Sequence, residues 1–331
     1  MKEVNFYSVF TTRFQSENRI EGSMKTRKML LGAVGMALCI SIKATPQTAE
    51  HFSFEVASVK PNKPEPNKPK VEVMQDMSLR YLPGGRLSVR AVPIPVLIFE
   101  AYSVAPGPGR RISLSPAFEK SMDYALESET YNIEAVAEKG AIPPNASVKE
   151  QRQKIRLMLQ TLLTDRFKVR ITRETKEVPI YAIAIGTKGP KLQKSTIDDA
   201  QCAATSADKP EIRRYFASID PSSCHSFFGG VGRGLRGEAV TMSDLAQALE
   251  GSSDRPVVDQ TGLRDLYKMD IPGWTPLRAP SPEPTGEDRV LFDPARPTLS
   301  NVLQGLGLKL DSTRAPIEIF VVEHFERPME N

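Results

Sequence analysis

The sequence predicts an α+β fold built from two similar helix-plus-antiparallel-sheet units, related by internal duplication. Two observations carry this expectation. The first is a change of period within residues 149–185. Ile155, Met158, Leu159, Leu162 and Leu163 recur at helical spacing and form one apolar face. Phe167, Val169 and Ile171 then alternate with Lys168, Arg170 and Thr172, the period of a half-buried strand. The polar run 173–177 is expected to turn the chain. Val178-Pro179 then opens a second strand to Ile185, since a proline, lacking a donor, belongs at a strand start or an edge.

The second observation is a repeat. Residues 298–323, TLSNVLQGLGLKLDSTRAPIEIFVVE, return to the same order of helix, strand, proline-bearing turn and strand. KEVPIYAIAI is answered by TRAPIEIFVV. Upstream, AVPIPVLIFEAY (91–102) matches AVTMSDLAQAL (239–249), and YNIEA (131–135) matches YKMDI (267–271). A first unit at 50–195, a linker at 196–237 and a second unit at 238–331 follow. The length of 331 residues suits about two domains.

Residues 24–44 have the pattern of a secretory signal peptide. Lys25, Arg27 and Lys28 form a basic head, Met29–Ile42 an uncharged apolar run, and Ala44 a small residue for cleavage. The run falls short of the about 20 residues a membrane span needs. Residues 1–23 do not belong ahead of such a segment, so translation is expected to start at Met24. Residues 1–44 hold seven Lys/Arg and three Glu. Removing them from 44 basic and 40 acidic residues leaves 37 of each. The exported chain is therefore formally neutral, and its charge gives no reason to expect nucleic acid as a partner.

In chain order, 51–61 reads as a strand and 61–70 as a solvated proline-rich spacer. Residues 71–92 read as strands about a turn at Pro83-Gly84-Gly85, and 94–104 as a short buried helix ended by Tyr102. GGVGRGLRG (229–237) imitates a phosphate-binding loop, but it precedes a strand, so a hairpin or linker fits better. Thr241 or Ser243 caps the next helix, with Asp244 in its first turn. Asp259 and Gly262 are turn residues, a carboxylate for nearby amides and a glycine free to take positive φ. Residues 274–297 are a proline-rich excursion.

Cys202 and Cys224 remain after cleavage and flank a polar segment. In an oxidising compartment they would close one disulfide worth about 3 kcal/mol. Two free thiols are the alternative. His225 is the only potential metal ligand near them and no CxxC spacing exists, so neither metal nor cofactor is expected. HExxH, GxSxG and GxxxxGK[ST] are all missing. His51, His225 and His324 are far apart, and His51 and His324 fit surface positions at strand ends. Asp259, in DQTG, is similar to the DTG of aspartic proteases but for the inserted glutamine. A catalytic role for it, with Asp265 or Glu250, would make a carboxylate-dependent hydrolase. Apolar stripes are thus expected to shape the molecule, with polar groups left to solvate it.

FEVASVKPN (54–62), YNIEA (131–135), RLMLQTLLTDRFKVRITRETKEVPIYAIAI (156–185), GPKLQKS (189–195), RPVVDQTGLRDLY (255–267) and LGLKLDSTRAPIEIFVVEHFERPMEN (306–331) together resemble the soil-associated secreted proteins that occur in many copies in acidobacterial genomes. The resemblance implies a secreted or periplasmic domain without an established activity, and it brings no catalytic residue. SPAFEKSMDY departs from the aromatic GPxW-like segment usual in that family before its YDIEA strand. LAQALEGSSDRPVVDQTG is similar in pattern, at fold level only, to the small N-terminal modules of secretins and TonB-dependent receptors. The expected function is binding, to a protein or envelope ligand, in the periplasm or outside the cell, with no stable membrane span after cleavage.

Overall fold

The computed structural model describes residues 52–62, 77–105, 111–114, 129–202, 211–213, 224–275, 277, 293 and 295–328. The segments 1–23 and 24–44 lie outside them, as do most of the spacer 61–70 and most of 274–297. Strand β1 spans Phe54–Asn62. β2 (Ser78–Leu82) and β3 (Arg86–Val92) form a hairpin about Pro83-Gly84-Gly85, where both glycines take positive φ (75° and 72°). Helix α1 (Ile94–Ala101) enters through Pro93, ends at Tyr102, and buries nearly all its side chains. β4 (Ile112–Leu114) and β5 (Thr130–Ala137) follow.

Helix α2 (Val148–Phe167) is the longest among the described residues, at 20 residues. The Ser147 side chain accepts from the Glu150 amide and Glu150 returns a bond to the Ser147 amide, a complete capping box. The helix stops at Lys168, which turns left-handed (φ 52°). Then come β6 (Arg170–Ile185), β7 (Gln193–Lys194), β8 (Glu211–Arg213), β9 (Phe228–Gly230), β10 (Gly234–Val240), α3 (Met242–Glu250), β11 (Val257–Asp259), β12 (Tyr267–Ile271), α4 (Leu299–Gly305) and β13 (Leu308–His324).

These strands form three sheets, ordered β1-β5-β3-β2-β8, β7-β12-β10-β9 and β11-β6-β13-β4. The fold is thus mixed helix and sheet, with mostly antiparallel pairing; β11 on β6 and β4 on β13 are the parallel pairs. Residues 173–177 are not a turn. They lie inside β6, a single strand of 16 residues, and 311–314 likewise lie inside the 17-residue β13. The reason is tertiary: β13 pairs with β6 along its whole length, so polar residues that would favour a loop alone are held in a ladder. Arg173 there lies over the Phe320 ring at 5.4 Å. Phe167, expected to start the strand, is instead the last residue of α2, fully buried.

The order hairpin, helix, short strand, strand, helix, long strand occurs twice, as β2-β3-α1-β4-β5-α2-β6 and as β9-β10-α3-β11-β12-α4-β13. The second strand of each hairpin is bulged just before the helix, β3 against β5 and β10 against β12, and each bulge holds a buried alanine at positive φ, Ala91 (53°) and Ala239 (49°). In the β6–β13 ladder, Val178 faces Ala315, the residues that precede Pro179 and Pro316. Two main apolar cores flank that point. One gathers Leu79, Leu97, Ile133, Leu159 and Phe167; the other gathers Leu245, Leu249, Met269, Trp274 and Leu303. β6 begins in the first core with Ile171 and ends in the second with Ile183. β13 runs the other way, from Leu308 in the second to Val322 in the first. Each such side chain, buried, contributes about 1.5–3 kcal/mol relative to exposure.

Candidate functional site

The cleft between α2, α3 and the segment 102–104 that follows α1, floored by β11 and β13, is about 550 Å3. Its walls come from both halves of the chain: Tyr102, Ser103 and Arg111; Lys149, Arg152 and Arg156 from α2; Ser243, Asp244, Gln247 and Glu250 from α3; Asp259, Glu318 and Phe320 from the sheet. Clefts at such junctions are where small ligands most often bind.

One end is organised by His225. Thr241 caps α3 and its amide donates to Asp244 Oδ2 at 2.8 Å, which fixes that carboxylate. The same oxygen meets His225 Nδ1 at 3.0 Å, while His225 Nε2 meets Asp199 Oδ1 at 2.7 Å. Asp199 stands on a helical turn at 199–202, and the Cys202–Cys224 disulfide ties that turn to the residue before His225. His225 takes positive φ (54°), tolerated by histidine more than by most residues, and its amide donates to Ala239 of the β10 bulge. Arg152 donates to the Cys224 carbonyl at 3.2 Å. Burial by itself works against charge on His225. Hydrogen bonds to Asp244 and Asp199, and then their negative charge, outweigh it and hold the imidazole pKa above its ordinary value. Burial likewise opposes charge on Asp244, but the His225 and Thr241 bonds prevail and its pKa is lowered. With a carboxylate facing each nitrogen, the doubly protonated ring has an acceptor for both of its N–H groups, which is why the charged form is favoured.

The other end is organised by two buried glutamates. Glu250 Oε2 accepts from Arg111 Nε (3.1 Å), Arg111 Nη2 (2.9 Å) and the Val257 amide (3.1 Å). Burial still pushes its carboxyl up, since Arg111 opposes desolvation only in part. Glu100 Oε1 accepts from the Tyr81 hydroxyl and from Arg156 Nε at 2.9 Å. Tyr102 and Phe320 pack at 5.0 Å between ring centres beside these groups. Gln247 donates to the Ser103 carbonyl at 2.9 Å, linking α3 to the end of α1.

Cys202 and Cys224 form the disulfide and are both buried. Asp259 is a turn carboxylate, accepting from the Thr261 amide (2.9 Å) and hydroxyl (2.7 Å), and Gly262 takes φ 70°. Asp259 and Glu250 line the same cleft. Asp265 does not; it pairs with Lys194 at the surface. His324 pairs with Glu326, and His51 lies outside the described residues. Among the described residues no group of three or more His, Cys, Asp or Glu is placed to hold a metal ion. The expectation that polar groups only solvate the surface is overturned: His225, Arg152 and Glu250 are buried and line one cleft, and the buried Glu100 holds Arg156 of the same lining. No sequence signal marks that convergence, because Asp199 and Asp244 lie 26 and 19 residues from His225.

Fold and site together define an α+β protein whose two halves share a cleft lined by paired charges. Among the described residues no helix is long and apolar enough to cross a membrane. The profile of DUF3738, a family of proteins of unknown function, matches residues 96–325, and the chain belongs to that family. No curated protein and no solved structure matches it.

Proposed function

We propose that this is an exported, non-enzymatic binding protein of the cell envelope or extracellular space, and that its ligand enters the cleft between the halves. One observation carries this. The buried Glu250 and the half-buried Asp244 at the cleft are occupied by fixed partners, Glu250 by Arg111 and Val257, Asp244 by His225 and Thr241. A general base needs an acceptor open to the substrate's proton, and these are spent on holding the walls. The signal-like pattern at 24–44 and a buried disulfide both support export. The paired element order and the matching bulges support a duplicated unit, and on that reading the cleft lies at the joint between copies.

The test is thermal denaturation of the chain from residue 45 against a panel of small acids, amines, sugars and peptides. The reading expects one chemical class to raise the melting temperature, and Ser243→Trp, which fills the cleft mouth, to abolish the rise. The second reading, a carboxylate-dependent hydrolase, draws on Glu250, whose carboxyl is pushed up, and on Asp259 in the same cleft. Turnover of a chromogenic ester or peptide that disappears in Asp259→Asn, with the fold retained, would replace the first reading by the second.

A further inference from the structure

Arg111 is held unusually firmly for a partly exposed cation. Its Nε and Nη2 are fixed by Glu250, and Nη2 also by the Val257 carbonyl at 3.0 Å. Its Nη1 makes no hydrogen bond among the described residues, and a third of the side chain remains exposed (33 %) in the cleft. On the facing helix α2, Lys149, Arg152 and Arg156 recur at i, i+3 and i+7 and all line the cleft. Their exposure falls from the surface-exposed Lys149 to the buried Arg152. Arg156 is balanced by Glu100 and Arg111 by Glu250, whereas Lys149 has neither hydrogen bond nor ion pair among the described residues. Tyr102 and Phe320 give an aromatic wall beside these cations.

We infer that the cleft seats a small organic monocarboxylate with an apolar or aromatic body, its carboxylate on Arg111 Nη1 and Lys149 Nζ and its body against Tyr102 and Phe320. The inference rests on the binding function proposed above and names its ligand class. A guanidinium already fixed in place binds a carboxylate without first losing rotamer freedom. With Arg111 and Arg156 each paired to a glutamate, Arg152 bonded to the Cys224 carbonyl, and Asp259 and Glu318 also in the walls, one negative charge fits and a polyanion does not.

The test is calorimetric titration of the chain from residue 45 with sodium benzoate, benzamide and inorganic phosphate at constant ionic strength. Benzoate is expected to bind, benzamide and phosphate are not, and Lys149→Glu is expected to weaken benzoate by about tenfold or more while leaving the melting temperature unchanged. Arg111→Lys, which keeps a charge beside Glu250, is expected to weaken it as well. Equal binding of benzamide, or benzoate binding untouched by Lys149→Glu, overturns the inference. If benzoate fails while an amine or a sugar binds and Ser243→Trp blocks it, the ligand class is wrong and the binding function stands. If nothing in the panel binds, both fall.

Discussion

Replacing Asp244 by asparagine tests the His225 cluster most directly. The substitution keeps the shape and removes the charge that faces Nδ1. Both partners are inside the fold, His225 with 4 % and Asp244 with 17 % of the side chain exposed. A charge-assisted hydrogen bond in such a setting contributes about 1.5–3 kcal/mol. The weakened cap on α3 adds up to about 1 kcal/mol, so a loss of about 2–4 kcal/mol is expected. Asp199 is 57 % exposed, and Asp199→Asn is expected to cost no more than about 1 kcal/mol.

The pH dependence has two arms. The folded pKa of His225 is raised, so its contribution is complete below the ordinary value of 6.5 and is lost as pH rises through the folded value. That of Asp244 is lowered, so its contribution is complete above the ordinary value of 3.8 and is lost as pH falls through the folded value. Stability from this cluster is therefore greatest between these two ordinary values. Urea unfolding at pH 5.5 and pH 8.5, disulfide intact, reads the effect of His225→Gln at each pH. The argument is refuted if His225→Gln costs as much at pH 8.5 as at pH 5.5, or if Asp199→Asn costs as much as Asp244→Asn.

Three further outcomes are expected. Arg111→Gln leaves Glu250 desolvated without its cation and is expected to cost about 3 kcal/mol. Because the Glu250 pKa is already raised, the loss should grow as pH climbs above 4.5, seen as a falling melting temperature. The double change Cys202→Ser, Cys224→Ser opens a loop of sequence separation 22 and is expected to cost about 3 kcal/mol in urea unfolding. Ala91→Val and Ala239→Val place a branched side chain at buried, positive-φ bulge positions and should each cost more than about 2 kcal/mol, whereas Ala→Gly at the same sites should stay within about 1 kcal/mol of the parent.

Much of the architecture was legible in the chain. The apolar spacing of α2, the glycine turn of the β2–β3 hairpin, the Thr241 cap and the Asp259 turn follow local rules that sequence displays directly. Residues 173–177 were not legible, because their conformation is imposed by a partner strand more than a hundred residues away. The candidate site was barely legible for the same reason. His225 looks like a loop histidine until the disulfide and the α3 cap bring Asp199 and Asp244 to its two nitrogens. Lys149, Arg152 and Arg156 carry no motif that sets them apart on α2, and only the position of α3 makes them one wall of a cleft.

The crossing of β6 and β13 makes the two halves hostages of one another. Cut between them, each fragment would keep a strand tip whose apolar side chains belong to the interior of the other piece, so neither fragment is expected to fold by itself. On the proposed duplication, a single repeat would meet the same difficulty, and the simplest remedy open to it is to trade that strand with a twin, as a homodimer turning about the point where Val178 meets Ala315.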